Sequence, residues 1–299
     1  MRAALIVNPQ ASGVTPELTM GVERELAAGG PVETVLTERP MHAAELVETL
    51  CGTCDRIYVF AGDGGFNEAV NGLVADVPVG FIPGGSTSVL PRALGLPRDA
   101  LNCARVLARA ASPRRISLGR VDGRRFTFGS GLGLDAELVR RVDALGRTSG
   151  RRAGDAAFAR SLLGLFAERR GRFDGAMEVA GVGRVAFALV ANCDPYSFVR
   201  RLPLHVAPSA RFELGLDLVA PRRLRARLLP EVAWWLFAGK GQERSPHVLY
   251  VHDADELRIV CDRPTPLQAD GEDLGDVGEA HFEAERGALQ VLVPGRRQG

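Results

Sequence analysis

The sequence predicts an α/β protein of two domains, an open, mostly parallel sheet first and a largely antiparallel, β-rich domain after it. Three observations carry this. Short apolar runs alternate with helical patterns through the first third of the chain. From about Arg114 this alternation gives way to successive β-rich segments. A length of 299 residues at 46% hydrophobic content suggests two packed cores rather than one.

Taken in order, the strand Ala3 to Val7 is followed by a helix near Glu17 to Ala28, a strand Val32 to Leu36 and a helix near Met41 to Leu50. The strand Ile57 to Phe60, a helix Asn67 to Val74 and the strand Val79 to Ile82 complete the alternation. Strands separated by helices pair in parallel, and ligands of such sheets sit outside the carboxyl ends of the strands. The second domain is read from Arg115 to Gly119, Arg124 to Phe128, Met177 to Ala180, Val185 to Asn192, Val248 to His252 and Glu256 to Cys261. Helices near Ala153 to Arg170 and Leu224 to Ala238 interrupt it. The expected division is 1–113, 114–286 and a closing segment 287–299, of which Arg296 to Gly299 reads as a frayed tail.

Composition narrows the classes. Net charge is +1, Lys240 is the sole lysine, and the arginine pairs Arg151-Arg152, Arg169-Arg170 and Arg222-Arg223 are scattered, so wholesale nucleic-acid binding is not implied. The N-terminal apolar run is too short for a signal peptide, and no segment approaches the ~20 apolar residues that span a bilayer, so a cytoplasmic protein is expected. Cys51, Cys54, Cys103, Cys193 and Cys261 are odd in number, and Cys51-x-x-Cys54 has no second pair to complete a zinc site. Trp234-Trp235-Leu236-Phe237 follows the arginines of 221–227. It reads either as a membrane-facing surface or, more simply, as a helix packed on the sheet with its tryptophans in the core.

Residues 61–72, AGDGGFNEAVNG, hold four glycines around Asp63, Asn67 and Glu68, between a strand and a helix. Glycine lets a ligand approach the backbone and permits positive φ, and a helix N-terminus attracts anions. Two further loops, residues 8–13 and 83–88, fall at the same sheet edge, and Thr37 ends the second strand there. Any one of these is compatible with a plain turn; three converging loops point to a phosphate or nucleotide crevice. Near the end, Gln268-Ala269-Asp270-Gly271-Glu272-Asp273 carries the Asp-Gly signature of a hairpin. It also has the carboxylates that phosphoryl transfer requires, as base and as metal-linked acid.

In this order, Asn8-Pro9-x-x-Ser12-Gly13, Gly62-Asp63-Gly64-x-x-Asn67-Glu68-x-x-Asn71-Gly72, Pro83-x-Gly85-Ser86, Gly131-x-Gly133-x-Asp135-Ala136 and Asp270-Gly271-Glu272 resemble the diacylglycerol kinase catalytic family of soluble bacterial lipid kinases. The set is similar also to sphingosine kinases and, more distantly, to NAD kinases. The resemblance implies ATP bound in a cleft between an α/β domain and a β-sandwich-like domain, with the γ-phosphate passed to a lipid hydroxyl, and a final strand, Ala288 to Val293, returning to the first domain. Asn8, Pro9, Ser12, Gly13, Thr37, Gly62, Asp63, Gly64, Gly65, Asn67, Glu68, Gly85 and Ser86 would line the nucleotide. Asp270 and Glu272 would supply base and metal-linked acid, with the assignment between them open. Mg²⁺ would be met at Asp63 and, in a second structural site, at Asp217. Partners would be a lipid substrate and, transiently, the inner membrane face; the sequence leaves a homodimer open.

Several positions depart from the family pattern. Gly65 stands where it has threonine, Ala61 where it has the first glycine, and Ser88 and Val89 where it usually has asparagine and aspartate. Leu214 replaces an acid of the Asp-Asp-Gly around the structural metal, and the lysines of some relatives are missing, leaving Arg92 or Arg98 for the phosphates.

Overall fold

The computed structural model describes residues 2–109, 113–149 and 155–294. Arg151-Arg152, the expected helix start at Ala153 and the tail Arg296 to Gly299 lie outside the described residues. The chain divides into two compact units, Met1–Leu118 with Arg286–Gly299, and Gly119–Glu285.

The first unit is built on β1 (Ala3–Val7), α1 (Pro16–Ala27), β2 (Val32–Leu36), α2 (His42–Leu50), β3 (Arg56–Ala61), α3 (Asp63–Asn71), β4 (Val79–Pro83), α4 (Val89–Ala93) and α5 (Ala100–Ala108). The strands lie in the order β2-β1-β3-β4, all parallel. β1 and β4 are buried at every residue and β3 at every residue after its first, as expected of strands covered on both faces, whereas the edge strand β2 is half-exposed. Thr15 opens α1 by accepting from Leu18 N–H, with Pro16 in the first turn. Phe66 of α3 meets Phe81 of β4 edge to face at 5.3 Å, fixing the helix on the sheet.

The chief departure from expectation in this unit is where α3 begins. It starts at Asp63 rather than Asn67, inside the glycine stretch, so Gly64 and Gly65 are helical and no glycine of residues 61–72 has positive φ. Close approach explains two of the glycines instead. A Cβ on Gly72 would overlap the backbone of Ala44 in α2, and one on Gly65 would lie 2.6 Å from the Ala61 Cβ.

The second unit opens with β5 (Pro113–Val121), which runs into it from the first, followed by β6 (Arg124–Phe126), β7 (Gly129–Leu132), α6 (Leu134–Ser149) and α7 (Asp155–Glu168). Short strands follow: β8 (Arg172–Phe173), β9 (Met177–Val179), β10 (Gly183–Val185), β11 (Ala188–Ala191), β12 (Ser197–Val199), β13 (Leu202–Leu204), β14 (Leu216–Pro221) and β15 (Leu224–Arg225). Then come α8 (Leu229–Ala238), β16 (Val248–Ala254), β17 (Glu256–Ala269) and β18 (Glu272–Leu292). The main order is β16-β14-β11-β7-β17-β18, antiparallel throughout. One core gathers Phe126, Leu132, Met177, Val190, Leu218, Ile259 and Phe282. Two smaller ones hold α8, through Trp235, and α7, through Leu165 and Phe166. Helix α6 was not expected from the sequence, and α8 begins at Leu229 rather than Leu224 because residues 224–225 are taken into a strand pair with β8. The fold is thus the expected α/β combination: a mostly parallel sheet, then an antiparallel one. The end of β18 comes back to the first unit, where Val291 pairs in parallel with Val79 of β4.

Gly72→Ala should lower stability by about 1–3 kcal/mol, the usual range for forcing atoms into a filled contact. Chemical denaturation checks it. Wild-type stability would mean that α2 and α3 can separate without loss.

Candidate functional site

In the first unit the three loops after β1, β3 and β4 are stitched together by their backbones. Gly13 N–H donates to Gly84 O at 2.8 Å, Gly84 N–H to Ala61 O at 2.8 Å, and Asn8 N–H to Phe60 O at 3.0 Å. A Cβ on Gly85 would stand 2.8 Å from the Gly62 Cα, so glycine at 85 lets the loops touch. Thr37 joins the same edge, its N–H donating to Val7 O at 2.8 Å.

Gly62 is the extended residue capping α3, and the first intrahelical bond is from Phe66 N–H to Gly62 O. The N–H groups of Gly64 and Gly65 precede that bond and so have no acceptor within the helix, at the end where an anion is favoured. Asp63 sits between them and Gly62 and reaches across: its Oδ1 accepts from Val89 N–H at 2.7 Å, tying α3 to the start of α4. Arg92 on α4 feels this carboxylate. Its guanidinium donates to Thr87 O at 3.4 Å, and burial together with the charge of Arg98 lowers its pKa while Asp63 opposes that shift.

The remaining expected residues divide between surface and scaffold. Pro9, Ser12, Gly13 and Ser86 are exposed, and Asn8 is half-buried with Oδ1 accepting from Gln10 N–H at 2.9 Å. Asn67 is wholly buried, with its Oδ1 accepting from Asn71 Nδ2 at 3.2 Å. Glu68 turns to α2 and accepts from Ala43 N–H at 3.3 Å. Ser88 takes the left-handed conformation and exchanges hydrogen bonds with Gly85 N–H and O at 3.2 Å each, and Val89 is buried.

In the second unit, Asp270-Gly271 forms the two-residue turn between β17 and β18, with φ of 49° and 81° at its two positions, the type I′ geometry that Asp-Gly favours. The Asp270 side chain points inward. Its Oδ2 accepts from Thr127 N–H at 2.7 Å and Thr127 Oγ1 at 2.9 Å, and its Oδ1 from Phe128 N–H at 3.0 Å and Gly129 N–H at 3.3 Å. Only 4% of the residue is exposed. Glu272, half-exposed, pairs with Arg124. The two carboxylates therefore stand in different chemical settings, one saturated by donors and one at the surface.

Three further side chains hold this turn. Gln268 Oε1 accepts from Gly271 N–H at 2.8 Å, while its Nε2 donates to Asp135 Oδ2 at 2.6 Å, which Tyr196 Oη also contacts at 2.9 Å. Burial pushes the Asp135 carboxyl up, against the lowering effect of these two donors, and the same burial pushes the Tyr196 phenol up. The spacing Gly131-x-Gly133-x-Asp135 carried the signal, since a Cβ on Gly131 would collide with the Asp135 carboxylate.

Asp217 does not fit the expected second metal site. It is wholly buried, and Tyr250 Oη, His252 Nδ1 and Asp253 N–H reach its oxygens at 2.8, 2.8 and 3.1 Å. Those partners are hydrogen-bond donors, and Leu214 offers no side-chain oxygen. Among the described residues no group of three or more His, Cys, Asp or Glu is gathered to hold a metal. Asp63 fits a different kind of site, in which Mg²⁺ is held by one or two carboxylates and by the phosphates it accompanies.

Residues 2–121 match the model of the diacylglycerol kinase catalytic domain. The chain is 38% identical over 102 residues to a diacylglycerol kinase of Bacillus subtilis strain 168, a match that spans only 33% of this chain and 33% of that relative. Its fold is similar to a diacylglycerol kinase from Bacillus anthracis strain Sterne, with a TM-score of 0.72 and 18% identity over 98% of this chain and 96% of the other. An NAD kinase from Archaeoglobus fulgidus, solved in complex with ATP, is a more distant neighbour at a TM-score of 0.51 and 14% identity, covering 100% of this chain and 95% of the other. The likeness to the diacylglycerol kinase catalytic family, with NAD kinases further off, is borne out. At these identities the solved structures speak for the fold alone.

Two substitutions test the geometry. Asp270→Asn keeps a turn-forming residue yet sets an amide NH₂ against buried donors, so it should cost about 1–3 kcal/mol and lower the melting temperature. An unchanged melting temperature would deny the carboxylate its structural role. Gly65→Thr should destabilise by collision with Ala61, and Ala61→Gly combined with Gly65→Thr should recover much of the loss. A double variant no more stable than Gly65→Thr would show that the two positions are not coupled.

Proposed function

We propose that the chain is an ATP-dependent lipid kinase that transfers the γ-phosphate to the hydroxyl of diacylglycerol or a related lipid at the membrane surface. The observation that supports this best is the start of α3: two glycine N–H groups beside Asp63 that precede the first intrahelical bond, delivered by β3 within the segment that matches the catalytic-domain model. These N–H groups and the loop residues Asn8, Ser12, Gly13, Gly85 and Ser86 would bind and orient the nucleotide phosphates. Mg²⁺ accompanying the nucleotide, held at Asp63, would offset the phosphate charge that develops during transfer.

In the reaction the lipid hydroxyl oxygen forms a bond to the γ-phosphorus as the bond to the β–γ bridging oxygen breaks, leaving ADP. The hydroxyl proton passes to a carboxylate. Glu272 is the better candidate for that base, because Asp270 has its lone pairs committed to four donors. Asp270 acts instead by holding the turn that carries Glu272, and Arg124 orients the Glu272 side chain.

A second reading, a relative that binds nucleotide or lipid without turnover, is favoured by one observation. Ser88 spends its hydroxyl on Gly85 and Val89 is an apolar, buried side chain, so neither offers the oxygen found there in the family. A panel of lipids incubated with labelled ATP separates the readings. Label in the organic phase supports the lipid kinase, label in a soluble product indicates an aqueous acceptor, and none anywhere supports the non-catalytic relative.

Glu272→Gln should leave the melting temperature and, within a few-fold, the ATP affinity unchanged while lowering turnover roughly 10²-fold or more, the range for loss of a general base. Near-normal transfer in this variant would remove Glu272 from the chemistry.

A further inference from the structure

Helix α8 splits its adjacent tryptophans between two environments. Trp235 is 7% exposed and packs with Ala191, Tyr196 and Val219 in one of the smaller cores, with Val232 and Leu236 against it. One residue earlier, Trp234 is 66% exposed, and Phe237, one turn on, is 51% exposed. Positions 234 and 237 fall on one helix face, so two large aromatic rings stand side by side in water. The expectation of both tryptophans in the core thus holds for Trp235 alone.

The β12–β13 hairpin continues this surface. His205 N–H, just after β13, donates to Leu236 O of α8 at 2.7 Å, and Gln242 Nε2 donates to His205 O at 2.7 Å. Leu202, at the start of β13, is 58% exposed, and the turn before it is Arg200-Arg201, both exposed. Through residues 196–205 and 226–241 the cations are Arg200, Arg201, Arg227 and Lys240, against the single carboxylate of Glu231. That carboxylate is on the half-buried side and accepts from Ser245 Oγ at 3.5 Å.

We infer that α8 and the tip of the β12–β13 hairpin form a docking surface for a bilayer bearing anionic lipid, with Trp234, Phe237 and Leu202 entering the interface and the cations meeting the headgroups. Aromatic side chains rimmed by cations suit the boundary between headgroups and acyl chains. Among the described residues no helix is long and apolar enough to cross a membrane. The choice of a bilayer as occupant rests on reading the acceptor as a lipid; the exposed face does not.

Trp234 and Trp235 are the only tryptophans, which gives the surface its own reporter. Phosphatidylcholine vesicles containing phosphatidylglycerol should shift the protein's fluorescence to the blue, more than pure phosphatidylcholine does, and the shift should persist in Trp235→Phe and vanish in Trp234→Phe. Trp234→Ser with Phe237→Ser should weaken co-sedimentation with these vesicles roughly 10-fold or more, and Arg200→Glu with Arg201→Glu should abolish the preference for the anionic lipid. Co-sedimentation of the Ser variant equal to wild type, or no binding of wild type to either vesicle, overturns the inference. So does a blue shift that depends on protein concentration without vesicles, which would give this face to a second copy of the chain. Kinase assays with diacylglycerol in detergent micelles keep the two proposals apart. Turnover there without vesicle binding sinks the docking surface alone, and vesicle binding without turnover on any lipid sinks the kinase alone.

Discussion

A carboxylate taken out of water is tolerated only when its lone pairs are filled, and Asp270 meets that condition with three consecutive backbone N–H groups and one hydroxyl. The arrangement fixes more than one side chain. Residues 127–129 must run past the hairpin with their donors aligned, which sets where β7 begins, and β7 in turn pairs with both β11 and β17. Gln268, bonded to Gly271 on one side and Asp135 on the other, carries the constraint to the first turn of α6. The Gly-rich segment 129–133 is thin because this network needs the room.

The first unit obeys a different rule, close approach of backbone to backbone. Its loops meet through Gly13, Gly84 and Gly85, where a Cβ would intrude, and α2 presses on α3 through Gly72. The same rule makes sense of the departure at residues 61 and 65. One Cβ fits between these two positions and two do not, so alanine at the first requires glycine at the second. The exchange keeps the packing and gives up a hydroxyl.

Much of this was legible in the sequence, and where it failed the reasons are physical. The bounds of β1 coincide with the apolar run Ala3 to Val7, because a buried parallel strand is written as a continuous hydrophobic stretch; those of β2 coincide with Val32 to Leu36, although this edge strand is half-exposed. The edge at which the loops gather followed from strand and helix alternating. Helix α3 begins four residues before the expected Asn67, since two adjacent glycines look like a loop and only the fold reveals that both are helical and that Gly65 avoids Ala61 rather than permitting an unusual φ. The Asp-Gly turn was visible, yet the division of labour between Asp270 and Glu272 was not. It depends on Thr127, which lies far away in the chain. Tyr196 escaped notice for the same reason, as it belongs to no motif and meets Asp135 and Gln268 only in the fold.

The pairing of Val291 with Val79 bears on the order in which the molecule can be assembled. A chain made from its N-terminus releases β4 long before the strand that lies beside it, and the whole second unit is synthesised in the interval. Until then that side of β4 has its hydrogen-bonding groups unpaired, the condition that invites pairing with another chain. Contacts so distant in sequence form late and slow the completion of a sheet. The first unit is therefore a discontinuous one. A fragment ending near Leu118 would hold most of its motifs and lack its closing strand.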